Sequence, residues 1–92
     1  MERAIADLRL DLRPILRPHG SRKSFLHQTD GIHFSRAGIP VVLINEHVND
    51  DRDLHRAGYH DEFDVTALMS FDFAADVTRA ALETTYRIAR AP

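Results

Sequence analysis

The fold of this 92-residue chain is constrained most by an apolar run of six residues, Ile39-Pro40-Val41-Val42-Leu43-Ile44. The run is rich in β-branched side chains, which is typical of a strand buried on both faces of a sheet. Such a strand needs a neighbour on each side, and this sequence offers few, although Ser24–His27 could be a short strand. We therefore predict an α/β fold with a buried strand at 39–45 that belongs to a larger sheet.

Helical periodicity accounts for both ends of the chain. Apolar residues at steps of three and four from Ala4 to Ile15 predict an N-terminal helix, which Pro14 should end or kink. Ser70 and Asp72 form the capped start of a long C-terminal helix. Its apolar face is expected to be core and comprises Phe73, Val77, Ala80, Ala81, Thr84 and Ile88.

A short helix is predicted immediately before the apolar run. Asp30 suits its N-cap, and Gly38 suits the residue that stops it. With the elements at both termini, this gives the order helix, short strand, short helix, buried strand, long loop and helix. We predict a single domain over residues 1–92.

Composition narrows the classes of partner. The net charge of −2 lacks the basic excess that nucleic-acid binding usually requires, so we expect no nucleic acid. The run Ile39–Ile44 is too short to span a bilayer, and we expect a soluble chain without a membrane partner. The absence of cysteine excludes disulfides and thiolate metal sites.

Histidine is unusually frequent, with six in the chain, and three lie in or beside the polar loop after the apolar run together with several carboxylates. Imidazole nitrogen and carboxylate oxygen are ligands that suit Zn²⁺. The spacing itself matches no His-Glu-x-x-His helix, phosphate-binding loop or Gly-x-Ser-x-Gly elbow. From the residues alone, a metal site and a solvated loop both remain open.

Two ordered segments resemble a known family. Thr29–Pro40 reads TDGIHFSRAGIP and is similar to Ser-Asp-His-x-x-Phe-x-x-Ala-Gly-Ile-Pro, while Gly58–Asp64 reads GYHDEFD and is similar to Tyr-His-Thr-x-x-Asp-Thr. Both patterns belong to the co-catalytic zinc exopeptidases, which include bacterial leucine aminopeptidases and plasma glutamate carboxypeptidase. The resemblance implies a partial three-layer α/β/α zinc-exopeptidase-like fold and a metallopeptidase activity.

The resemblance also implies roles for three residues. His60 matches a histidine that ligates one of two zinc ions, and Asp64 matches the aspartate after it, which supports the ligand rather than binding metal. Asp30 matches an acidic residue near the substrate pocket. In the family, zinc polarises the scissile carbonyl and lowers the pKa of a bridging water, and a glutamate general base takes its proton.

The chain departs from the family pattern in ways that bear on activity. Gly31 stands where the first motif has histidine, and Asp61 and Val65 replace the two threonines of the second. The family's remaining metal ligands and its glutamate base precede the first motif and have no match in residues 1–28. We therefore expect the C-terminal part of a larger zinc exopeptidase domain, with an incomplete zinc site and no activity alone.

The expected substrate of the intact enzyme is a peptide or an amino-acid derivative, and exposed strand edges favour a homo-oligomer. Two other classes stay open. One is an acyltransferase of the glutaminyl-cyclase type, although Tyr59 replaces the tryptophan expected before the metal histidine. The other is a non-catalytic exopeptidase-like module that binds proteins, which the Gly31 replacement favours and the retention of His60 disfavours.

Overall fold

The computed structural model describes residues 1–45 and 62–92. Three α-helices lie in these ranges: α1 at Glu2–Asp7, α2 at Gly31–Arg36 and α3 at Phe71–Arg90. Two 3₁₀ turns accompany them, at Phe25–Gln28 and Thr66–Leu68. Helices account for 51% of the described residues, and none of those residues forms a strand.

The predicted α/β fold, with its three-layer arrangement and its buried strand at 39–45, is therefore wrong. Residues 39–45 have no regular secondary structure, and Ile39 and Val42 are 51% and 75% exposed. The other predicted strand is a 3₁₀ turn, at the start of which the Oγ of Ser24 accepts a hydrogen bond from the Leu26 amide at 3.3 Å. A strand exists only when another strand pairs with it, and the described residues contain no such partner.

The chain divides into two compact units. The first, unit 1, comprises Met1–Pro14 and the described residues from 62 onward, and it holds α1 and α3. The second, unit 2, holds α2 and the 3₁₀ turn Phe25–Gln28, and its described part is residues 15–45. The single domain over residues 1–92 stays a prediction.

Helix α3 in unit 1 begins as the sequence predicts. The Oγ of Ser70 accepts a hydrogen bond from the Phe73 amide at 3.3 Å, which satisfies one of the free amides of the first turn. Asp72 lies in that first turn, and Arg87 and Arg90 lie in the last. Both placements complement the helix dipole.

Helix α1 is shorter than predicted, because the chain turns into a left-handed conformation at Arg9, whose φ is 54°. The amide of Arg9 donates to the Ala6 carbonyl and that of Leu10 to the Ile5 carbonyl, which is the Schellman pattern of helix termination. Glycine usually occupies this position. The periodicity that continued toward Ile15 therefore does not extend the helix.

Two alanines are the most buried residues where α1 and α3 pack together. Ala4 and Ala80 are each 1% exposed, and Ile5 beside Ala4 is 8% exposed. The predicted apolar face of α3 is buried only at its centre, since Phe73 and Ile88 are 46% and 70% exposed. A six-residue helix spans about 9 Å, whereas α3 is about 30 Å long, so α1 covers only part of that face.

Arg87 links the same two helices by charge. Its Nη1 donates to Asp7 Oδ2 and its Nε donates to Glu83 Oε1, both at 2.7 Å. The hydrogen bonds that Arg87 donates to the Glu83 carboxylate and, to a smaller extent, to the Asp7 carboxylate raise the pKa of Arg87 above its ordinary value. The guanidinium is partly exposed, so solvent and salt screen this interaction.

The close approach at Ala80 leads to a first prediction. Replacing Ala80 with leucine should lower the free energy of unfolding by about 1–3 kcal/mol, because the extra methylenes force α1 away from α3. Ala75→Leu is the matched control, since Ala75 is exposed on the same helix and alanine and leucine have similar helix propensities. Urea unfolding followed by circular dichroism measures the free energy of unfolding of both variants. Equal losses in Ala80→Leu and Ala75→Leu would contradict the described packing at Ala80.

The left-handed residue at the end of α1 leads to a second prediction. Arg9→Gly should raise the free energy of unfolding by about 1 kcal/mol, because glycine adopts this conformation without the clash of a Cβ atom. Arg3→Gly should act in the opposite direction by about 1 kcal/mol, because Arg3 lies inside the helix. Thermal unfolding of the two variants tests whether their stabilities change in opposite directions. Destabilisation by Arg9→Gly would contradict the prediction.

Candidate functional site

The predicted zinc ligand His60 lies outside the described residues, as do the polar residues between 46 and 61 that accompany it in the sequence. Its assignment as a ligand stays a prediction. Of the predicted site residues, the structure describes Asp30, in unit 2, and Asp64, in unit 1.

Asp30 immediately precedes α2 and is exposed. It occupies the N-cap position, as the sequence predicts, but its side chain makes no capping hydrogen bond. The backbone carbonyl, rather than the carboxylate, serves the helix by accepting a hydrogen bond from the His33 amide at 3.1 Å. The carboxylate is therefore not committed to the helix start and is accessible to a solute.

The other end of α2 explains the Ala-Gly-Ile part of the first motif. Gly38 has a φ of 78° and donates from its amide to the Ser35 carbonyl, while the Ile39 amide donates to the Phe34 carbonyl, both at 3.0 Å. This is again a Schellman motif, here with glycine at the left-handed position. The predicted stop at Gly38 is confirmed, and these residues have a structural role.

Gly31 is the position at which the family motif has histidine, and it lies in a tightly packed place. A Cβ atom on Gly31 would lie 2.9 Å from Leu26 Cδ1 and 3.0 Å from Val41 Cγ1. Leu26 is buried and Val41 is half-buried, so both pack over the bare glycine backbone. A histidine at this position requires its neighbours to move.

A contact that the sequence analysis missed joins a turn to α2 within unit 2. The Ser21 amide donates to the Pro18 carbonyl at 3.0 Å, and Gly20 in this turn has a φ of 83°. His19 in the turn lies with its Nε2 3.1 Å from Ser35 Oγ. The Pro-x-Gly spacing signals the turn, but the sequence carries no signal for the pairing across sixteen positions.

This histidine–serine pair lacks the other parts of a nucleophilic site. Among the described residues, no carboxylate forms a hydrogen bond with His19 that would orient its ring. The amides at the end of α2 nearest Ser35 already donate to carbonyls of that helix. A nucleophilic serine needs an oriented base and donors for the oxyanion, so we interpret the contact as structural.

Asp64 is exposed and follows a turn at residues 62–63. Within the described ranges, no three histidine, aspartate or glutamate side chains converge on a point that would suit a metal ion. The described side chains alone therefore do not supply the ligands of the zinc site that the resemblance implies. No helix in these ranges is long and apolar enough to cross a membrane.

An open groove in unit 1 is lined by Leu8, Leu10, Arg79, Leu82 and Glu83. Its charged members already have partners, because Arg79 pairs with Asp76 at 3.0 Å and Glu83 pairs with Arg87. The groove thus offers apolar surface with few polar groups left to orient a ligand. This differs from the usual small-molecule site, in which a few polar groups fix the bound orientation.

The packing at Gly31 leads to a third prediction. Gly31→Ala should reduce the stability of unit 2 by about 1 kcal/mol, because an overpacking cost of about 1–3 kcal/mol exceeds the gain in helix propensity. Hydrogen exchange of the α2 amides reports this change. In a Val41→Ala background the same substitution should cost less, since the nearest stiff methyl group is gone. Equal costs in both backgrounds would contradict the close approach.

Comparison of the chain with protein-family models, with curated proteins and with solved structures finds no match. The likeness to zinc exopeptidases therefore rests on the two sequence motifs.

Proposed function

We propose that this chain forms the C-terminal part of a zinc-dependent, aminopeptidase-like exopeptidase that hydrolyses peptide or N-acyl amino acid bonds, and that the chain is inactive alone. The observation that carries the proposal is the ordered pair of motifs, Thr29–Pro40 followed by Gly58–Asp64. Each motif is short, but the two stand in the family's order and a helix follows them.

The local geometry of the first motif supports the proposal. A short helix separates Asp30 from Gly38, and the glycine turns the chain directly into the apolar segment. The carboxylate of Asp30 is exposed at the start of that helix and is not used as its cap. An accessible carboxylate suits the recognition of a cationic group, such as the free α-ammonium of a peptide substrate.

The proposed roles follow the motif positions. His60 holds one zinc ion, Asp64 orients the imidazole of His60, and Asp30 lies near the substrate. Bound zinc would supply Lewis acidity and an activated water. The number of ligands explains why we propose that the isolated chain is inactive. His60 is one of about five metal ligands in the family, whereas a catalytic zinc needs three protein ligands.

One observation favours a second candidate, a non-catalytic exopeptidase-like module that binds proteins. Leu26 and Val41 pack over Gly31 so closely that the family's histidine would not fit without rearrangement. A module that has lost catalysis does not need that histidine. Metal binding separates the candidates, because the non-catalytic module has no need for His60 as a ligand.

A zinc titration tests the proposal. We expect little heat by calorimetry, with an affinity at least about a thousandfold below that of a four-ligand structural zinc site. NMR signals of the histidine rings should respond at His60 before the other five histidines. The zinc-dependent change in the NMR signals should vanish in His60→Ala. It should persist in the control variant His47→Ala, because His47 follows the apolar run but has no counterpart in the family motifs.

The outcomes are distinct. A response at other histidines without one at His60 contradicts its role as a ligand and favours the non-catalytic module. Tight zinc binding that is lost in His60→Ala supports the ligand role but contradicts the incomplete site, since the chain would then assemble the remaining ligands itself.

A further inference from the structure

Residues 40–45, here called the open segment, present exposed apolar side chains and a backbone without hydrogen-bond partners among the described residues. Val42, Leu43 and Ile44 are 75%, 39% and 42% exposed. No backbone hydrogen bond joins the open segment to any other described residue. Exposed amides and carbonyls next to β-branched side chains are the features that allow one chain to add a strand to another.

We propose that the open segment is the interface through which two copies of this chain associate, by antiparallel pairing of their backbones. The hydrogen bonds of this pairing lie between chains, which distinguishes it from the strand that the sequence predicted inside one fold. The proposal is independent of the peptidase function.

A second copy is the occupant that the charges favour. The open segment contains no charged residue, and neither do Ala37, Gly38 and Ile39 before it. Two copies can therefore approach without the like-charge repulsion that protects many edge strands. An antiparallel pair is also symmetric about a two-fold axis, so the same residues supply both sides of the contact.

The distribution of packed and exposed residues supports this pairing. Pro40 lacks an amide, but it lies at the end of the open segment, so the donors from Val41 to Asn45 are intact. Val41 is half-buried and lies close to Gly31, which fixes the open segment to unit 2. Val42 is 75% exposed and is therefore available to a partner.

The size of the open segment determines the expected affinity between the two copies. Six paired residues form a contact only about 20 Å long, and a contact one strand wide buries less surface than the roughly 1,200 Å² of a stable interface. The dimer should therefore be weak, with a dissociation constant of about 1 μM to 1 mM, and its population should depend on concentration.

Sedimentation equilibrium between about 10 and 500 μM, concentrations that lie within the expected range of dissociation constants, tests the proposal with a metal chelator present. The wild-type chain should form dimers, and Val42→Lys should raise the dissociation constant at least tenfold. Leu16→Lys is the matched control, because Leu16 is 77% exposed in the same unit but lies outside the open segment. The control should dimerise like the wild type, and amide exchange at residues 41–45 should slow as concentration rises.

Three results would overturn the proposal. The first is a wild-type chain that stays monomeric across this range. The second is a dimer that both lysine variants weaken equally, which would place the contact elsewhere. The third is association only when zinc replaces the chelator, which would assign the contact to bridging histidines. Circular dichroism of both variants verifies that neither substitution acts by unfolding the chain.

Discussion

Unit 1 depends on the packing of α1 against α3, in which Ala4 and Ala80 are the most buried residues. Small side chains at both positions let the two backbones approach closely, and each alanine is 1% exposed. The same approach brings Asp7 within 2.7 Å of Arg87. Because α1 has six residues and α3 has twenty, this contact stabilises the middle of the long helix and leaves apolar side chains exposed toward its ends.

Unit 2 depends instead on two glycines. Gly38 allows α2 to end in a left-handed residue, which turns the chain into the open segment. Gly31 provides the space in which Leu26 and Val41 pack. The second role has a consequence for function, since the glycine that permits this packing occupies the position of a histidine in the family motif. The same residue therefore contributes to the local fold and weakens the match to the peptidases.

Both proposals concern surface that the described residues leave uncovered. The exposed Asp30 carboxylate belongs to the motif that suggests a peptidase, and the exposed apolar side chains of the open segment suggest association between copies. The two are physically separate claims, because one depends on metal and charge and the other on backbone pairing. A chain with few buried apolar residues gains more from association than one whose core is already complete.

The local features of this protein could be predicted from its sequence alone. The cap at Ser70, the start of α3 and the stop at Gly38 follow from hydrogen bonds within a few residues, so nearby side chains suffice to predict them. The predictions for residues 39–45 and Ser24–His27 were wrong because a strand requires a distant partner that no local pattern reveals. Three features could be seen only in the folded chain: the contact of His19 with Ser35, the packing over Gly31 and the early end of α1. Each of these depends on which residues the folded chain brings together or on a backbone conformation that side-chain periodicity does not specify.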